Sequence, residues 1–255
     1  MAASASINYW PQSACARAFW AQQETPPYGE LLAETVAWLE PKPNDRWLDL
    51  GCGCGNLTEA IWKKSAGNIS LVLGIDCAAE NARAFAKMRE KLQATENNLQ
   101  FVHADFIQGL ASCDDDSFNG VVSGLAVHYA DSYSEELGRW TSEAYDRVIT
   151  EVFRVLRAGG AFVFSVCVPN PAWTRVALRT VPGAFRARNP LRYLKKALRM
   201  MRYGGWLTRE ARRGRFHYLP FAAIEAKLRN AGFTRIACRL SYAGQAYVIR
   251  CRKPV

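Results

Sequence analysis

The sequence contains no apolar run approaching the roughly 20 residues that a membrane-crossing helix needs; the longest, around residues 161–168, stops far short. Its first six residues, Met-Ala-Ala-Ser-Ala-Ser, offer neither the basic start nor the apolar stretch of a secretory leader, so we expect a cytoplasmic chain. Repeats, low-complexity tracts and linker-like segments are missing too, which leaves one α/β core with decorations as the starting expectation for 255 residues. Cysteine is not scarce, at eight, but the eight are scattered through a chain too large to need stapling, so reduced thiols are expected. A zinc site would want two cysteines separated by two to four residues and a second such pair. Cys52 and Cys54 stand closer than that and no second pair exists, so no metal is expected.

Acidic residues are nearly missing from one stretch. Between Pro169 and Leu219 thirteen Arg or Lys residues face Glu210 alone, a charge of +12 beside +10 for the whole chain, so the remainder is near −2. So strong a charge ordinarily points to nucleic acid or an anionic membrane. Its confinement to one segment assigns that property to an insert.

Around the insert, short β-rich runs alternate with helical stretches. Strands are expected over 46–50, 71–76, 99–104, 120–124 and 161–168, and helices over 57–64, 79–93 and 143–156. That alternation predicts a doubly wound, mostly parallel sheet. Residues 220–230 read as a further helix closed by Gly232, followed by β-like runs over 233–241 and 246–251 that form a terminal antiparallel hairpin. Residues 1–44 carry Tyr9, Trp10, Phe19, Trp20, Tyr28 and Trp38, with apolar spacing Leu31, Leu32, Thr35, Val36, Leu39, and read as a helical lid ending before Pro41. The expected division is a lid over 1–44, a core over 45–168 and 220–255, and a basic helical insert over 169–219 that covers the substrate.

The chemistry-bearing motif is Trp47-Leu-Asp-Leu-Gly-Cys-Gly-Cys-Gly55. Gly51, Gly53 and Gly55 follow an apolar strand and open a helix, where missing side chains let backbone N–H groups approach a ligand. A dinucleotide fingerprint would place its third glycine one residue later, as G-x-G-x-x-G; the spacing here is G-x-G-x-G. Asp76 ends the next strand, where a carboxylate can accept from ribose hydroxyls or cap the helix that follows.

This spacing, with Asp49 two residues before the first glycine, resembles motif I of the class I S-adenosylmethionine-dependent methyltransferases. Phe101-Val-His-Ala-Asp105-Phe106 is similar to the family's third-strand motif, and Glu151-Val-Phe-Arg-Val-Leu-Arg-Ala-Gly-Gly160 to its helix and double-glycine turn. The resemblance covers residues 45–168, and the helix and hairpin from Pro220 onward complete the family's seven-stranded Rossmann-like sheet. It implies S-adenosyl-L-methionine as cofactor and S-adenosyl-L-homocysteine as product. It also implies Asp49 and the three glycines as the cofactor loop, Asp76 at the ribose, Asp105 at the adenine amino group and Phe106 against the ring.

Val121-Val-Ser123-Gly-Leu125-Ala-Val-His128-Tyr129 resembles the loop after the fourth strand in small-molecule methyltransferases related to quinone-biosynthetic enzymes. That likeness places Ser123 near the methionine end of the cofactor and makes His128 a candidate for substrate contact or proton removal, with packing at a strand end as the alternative. His217, just before the last helix, is a second candidate, whereas His103 reads as structural. Amino methylation of DNA bases needs an acid or amide ahead of Pro-Pro-Tyr. Thr25-Pro26-Pro27-Tyr28 lacks it, so no DNA partner is expected, and Tyr28 is read as a cover for the cofactor.

Within the insert, Leu191, Leu194, Leu198 and Met201 recur at helical spacing while Arg192, Lys195, Lys196, Arg199 and Arg202 take the other positions. Such a helix can seal a substrate pocket, or rest on an anionic membrane or an acidic carrier protein; RNA is a further alternative. The expectation is a methyltransferase acting on a small, hydrophobic or lipid-like metabolite, with oxygen favoured as acceptor atom. The alternatives are an RNA-directed enzyme and a non-catalytic binding protein.

Overall fold

The computed structural model describes residue 10, residues 25–186 and residues 189–255. Tyr9, Phe19 and Trp20 of the expected lid lie outside the described residues.

A seven-stranded sheet organises the molecule. Strands β1 (Arg46–Leu50), β2 (Leu71–Asp76), β3 (Leu99–His103), β4 (Phe118–Gly124) and β7 (Leu156–Cys167) are mutually parallel where they pair. Strand β9 (Ala246–Arg252) runs antiparallel between β7 and β8 (Thr234–Ser241), giving the order β3-β2-β1-β4-β7-β9-β8. β2 is buried at every position and β1 at all but Arg46, as expected of central strands covered on both faces, which explains their nearly unbroken apolar runs.

The connections alternate with helices α2 (Asn56–Lys64), α3 (Ala79–Lys91), α4 (Glu143–Val155) and α7 (Phe221–Asn230). One sheet face packs under Phe85, Ile61 and Trp47, and the other under Tyr145, Ile149, Phe162 and Phe233. Helix α1 (Pro26–Ala37) starts on a proline and is tied to the far edge of the sheet. There Arg239 lies 4.7 Å over the ring of Trp38, and Arg250 and Arg252 reach Glu40.

Two features depart from the expected pattern. β7 begins at Leu156 instead of Ala161, with its register against β4 shifting between Phe118 and Gly120, so the expected double-glycine turn is a strand irregularity. A two-stranded hairpin, β5 (Ser132–Ser134) with β6 (Arg139–Thr141), stands between β4 and α4. Strands of three residues carry too little alternation to be read from sequence.

The basic insert folds into a helical hairpin, α5 (Trp173–Arg186) and α6 (Pro190–Arg212). Its helices run antiparallel: Trp173 Nε1 donates to Thr208 Oγ1 (2.7 Å) near one end and Tyr193 Oη to the carbonyl of Thr180 (3.0 Å) toward the other.

Candidate active site

The chain builds β1, β2 and β3 outward in one direction and then returns to place β4 on the other side of β1. Open α/β sheets bind ligands at such a switch point, beyond the strand carboxyl ends. A cavity of about 220 Å³ lies there, between the loop after β1 and the underside of the α5–α6 hairpin.

The loop's glycines have separate steric reasons. At Gly51 the backbone is left-handed (φ +67°) and a Cβ would fall 2.3 Å from the Cβ of Ala126, so only glycine lets the two loops meet. Gly53 is also left-handed (φ +54°) but meets nothing within 4 Å, so its bare backbone faces open cavity. Gly55 is the N-cap of α2.

The loop is clamped to Asp76. Gly53 N donates to Oδ2 (2.9 Å), and Ala78 N and Asn81 Nδ2 donate to Oδ1 (2.8 and 2.9 Å). A carboxylate offers about four lone-pair sites; with three of them engaged, Asp76 holds the loop and keeps acceptor capacity for one more donor on the cavity wall. Asp105 also lines the cavity, capping a turn through Ile107 N (3.1 Å), and burial raises its carboxyl above the ordinary range. Phe106 and Ile107 add an apolar surface beside it. Tyr28 closes this end, its hydroxyl accepting from Asn56 Nδ2 (3.2 Å) and pushed up to about 12, chiefly by burial.

Four expected site residues stand elsewhere. Asp49 is buried beneath the loop and does not reach the wall; its Oδ2 accepts from Thr58 N and Oγ1 (3.1 and 2.8 Å). Its Oδ1 has no hydrogen-bond partner among the described residues, and burial pushes the carboxyl up to about 7. Ser123 is fully buried and donates to the carbonyl of Leu50 (2.8 Å), which ties β4 to β1. His128 is also fully buried, off the wall, with neither ring nitrogen hydrogen-bonded among the described residues; desolvation, with His217 nearby, lowers it to about 3. His217 is buried with Nε2 against the carbonyl of Ala130 (2.9 Å), and burial lowers it too. No imidazole therefore lines the cavity, since His103 is exposed with Nε2 on the carbonyl of Cys77.

The residue after His128 takes its place. Tyr129 lines the cavity, its hydroxyl 3.4 Å from that of Tyr218, with both phenols beside the buried thiol of Cys167. Trp10 packs on Tyr129 at 4.5 Å between ring centroids. Trp173, Val176 and Ala177 of α5 with Leu207 of α6 form the roof. Trp10 belongs to the aromatic-rich N-terminal stretch and Tyr129 to the loop after β4 that carries the family likeness, whereas Val176, Ala177 and Leu207 carry no local sequence signal.

A family model described as a methyltransferase domain matches residues 41–208, about two thirds of the sequence. The chain belongs to the methyltransferase domain family. The fold is that of the S-adenosylmethionine-dependent methyltransferases, and the wall suits that donor: bare backbone at Gly53, two carboxylates for hydroxyl and amino donors, and Phe106 for a flat ring. The methyltransferase shares its fold with a Haloferax volcanii methyltransferase solved in complex with the Trm112 methyltransferase activator (17% identical, TM-score 0.63, covering 98% of this chain and 100% of that one). It is similar also to an S-adenosyl-L-methionine-dependent methyltransferase of Methanococcus maripaludis (14% identical, TM-score 0.60, covering 100% and 98%). In sequence, 79 residues are 34% identical to the 23S rRNA (uracil(1939)-C(5))-methyltransferase RlmD of Vibrio vulnificus (strain YJ016), covering 31% of this methyltransferase and only 17% of that relative's length.

Proposed function

We propose that the acceptor is a small, hydrophobic or lipid-like metabolite bearing a hydroxyl, and that the methyl group goes to oxygen. The observation that carries this reading is the wall: Asp76 and Asp105, both at the glycine-loop end, are the only charged side chains lining the cavity among the described residues. The other end is ring and aliphatic surface from Trp10, Tyr129, Trp173, Val176 and Leu207, which favours an uncharged apolar guest, because an ionised one would lose its hydration unpaired.

In this reading Asp76 takes a ribose hydroxyl, Asp105 the adenine amino group, and Phe106 and Tyr28 sandwich the donor's flat parts. S-adenosylmethionine supplies an electrophilic methyl group on a sulfonium. The chain's task is then to hold the acceptor oxygen in line with that carbon and keep water out, a role that falls to the α5–α6 roof in this reading. On the same reading Tyr129, backed by Tyr218, takes a hydrogen bond from the acceptor hydroxyl. With no imidazole on the wall, the chemistry suits a hydroxyl acidic enough to pass its proton to bulk water as the oxygen–methyl bond forms and the methyl–sulfur bond breaks, leaving neutral S-adenosyl-L-homocysteine.

RNA is a second reading, favoured by the partial likeness to RlmD and by the charge of the insert. Incubating the enzyme with methyl-labelled donor and a cell extract separates the two. Label entering the organic phase is the expected result, and label entering RNA alone would overturn the reading.

A further inference from the structure

Leu191 and Leu198 face outward at 74% and 59% exposure, so they do not seal the pocket. The roof is made instead by Gly204 and Leu207, which lie on the other side of α6 and face Trp173 and the cavity; the side chains of Leu194 and Met201 lie outside the described residues. Leu178 and Val181 of α5 are likewise exposed, at 71% and 45%. Among the described residues eight large apolar side chains stand out into solvent, and four of them belong to this one hairpin.

Cations share that outer surface. Leu191, Lys195, Leu198 and Arg202 follow one another at steps of three and four residues along α6 and are all exposed, and Arg175 and Arg179 flank Leu178 on α5. No helix of the described residues is long and apolar enough to cross a membrane. An outer face that alternates leucine with lysine and arginine, over a segment of charge +12, has the composition of an element that lies in the interface between headgroups and acyl chains.

We infer that the outer face of the α5–α6 hairpin docks on an anionic lipid bilayer, bringing the roof of the cavity to the surface where a lipid-like acceptor resides. The apolar groups decide between the available anionic partners. They are aliphatic, and single-stranded nucleic acid is held by exposed aromatic platforms that leucine cannot replace. This inference rests on the hydrophobic-acceptor reading for its purpose, but its test does not depend on turnover.

The test is flotation of the full-length protein with phosphatidylcholine vesicles and with vesicles containing phosphatidylglycerol, at low and high salt, beside a binding assay with bulk transfer RNA. Binding only to the anionic vesicles, weakened by salt, is expected. Leu191→Glu with Leu198→Glu should reduce vesicle binding about tenfold or more, and Arg175→Gln with Arg179→Gln about fivefold for each cation lost. Both variants should titrate S-adenosylmethionine as the parent does, because none of the four residues lines the cavity. Equal binding to neutral vesicles, RNA binding without vesicle binding, or a leucine variant that floats like the parent would overturn the inference. Acceptor specificity is read separately by label transfer into detergent-dispersed extract, so a failure there leaves the docking result standing.

Discussion

At the glycine-loop end of the cavity the wall is bare loop backbone and side chains held by hydrogen bonds that start and finish within about 30 residues of sequence: Gly53 to Asp76, Asp76 to Asn81, Asp105 to Ile107. At the acceptor end it is side chains gathered from Trp10, Tyr129, Trp173 and Leu207, segments with no sequence proximity. Chemistry that must bind one invariant donor can be written as a local motif, whereas a surface matched to one acceptor emerges only from tertiary packing. The two ends should therefore fail separately when disturbed.

The largest separation is expected at Arg215, which fastens the insert to the rest of the molecule. The side chain is 4% exposed, with Nε on Asp131 Oδ2 at 2.6 Å and Nη1 3.5 Å from Glu210 Oε2, and its guanidinium lies between the rings of Trp140 (5.1 Å) and Phe216 (5.2 Å). Arg215→Ala leaves Asp131 and Glu210 without this partner and should cost about 3–5 kcal/mol, measured by urea denaturation. In buffer, where the variant remains folded, its affinity for S-adenosylmethionine should be little changed; a stability loss below about 1 kcal/mol would show that the insert does not depend on this ion pair.

Asp76→Ala should do the reverse. It removes the clamp on Gly53 and the proposed ribose acceptor together, so calorimetric affinity for S-adenosylmethionine should fall by about 1.5–3 kcal/mol, a factor of roughly ten to a hundred. Unchanged affinity would place the ribose elsewhere.

How much of this was legible follows the same division. The alternation of strands and helices, the glycine loop, and Asp76 and Asp105 at or just past the ends of their strands could be read because each depends on spacing within a strand–turn–helix unit. The exchange of His128 for Tyr129 could not. The turn after β4 is a single 3-10 turn over Val127–Tyr129, where a difference of one residue decides which side chain points into the core, and no propensity records that choice. Asp49 and Ser123 stand off the wall because they lie inside β1 and β4, short of the strand ends where the cavity opens, and their polar atoms go to Thr58 and to the carbonyl of Leu50. In α6 the leucine spacing marked a helix, but periodicity cannot say which way its leucines face, and Leu191 and Leu198 face outward.

Tyr129→Phe tests the acceptor end at a smaller scale. Removing one hydroxyl from a packed ring should lower turnover about tenfold, the worth of one hydrogen bond, while leaving donor affinity alone; label transfer to the organic phase measures the first and calorimetry the second. His128→Phe should leave turnover near that of the parent, and a loss as large as that of Tyr129→Phe would return the imidazole to the reaction.

The smallest effect at neutral pH belongs to the two buried groups that stand off the cavity wall, His128 and Asp49. His128 has its pKa lowered from 6.5 to about 3 in the fold, so the stability it contributes is complete above 6.5 and is lost as pH falls toward 3. Asp49 has its pKa raised from 3.8 to about 7, so its contribution is complete below 3.8 and is lost as pH rises through 7. Between roughly pH 4 and 6.5 the unfolded chain carries the proton on His128 and the folded chain carries one on Asp49, and the two dependences cancel. Asp49→Asn should unmask a stability that rises with pH across that window, and His128→Phe one that falls, each with a slope of at most about 1.4 kcal/mol per pH unit relative to the parent. The double variant should be as flat as the parent. Urea midpoints of the four proteins at several pH values within the window measure this, and parallel curves would mean that neither group is buried in the charge state its surroundings favour. Because the slopes belong to groups beneath the cavity wall and not on it, they should appear without any change in donor affinity, which separates the supports of the site from its lining.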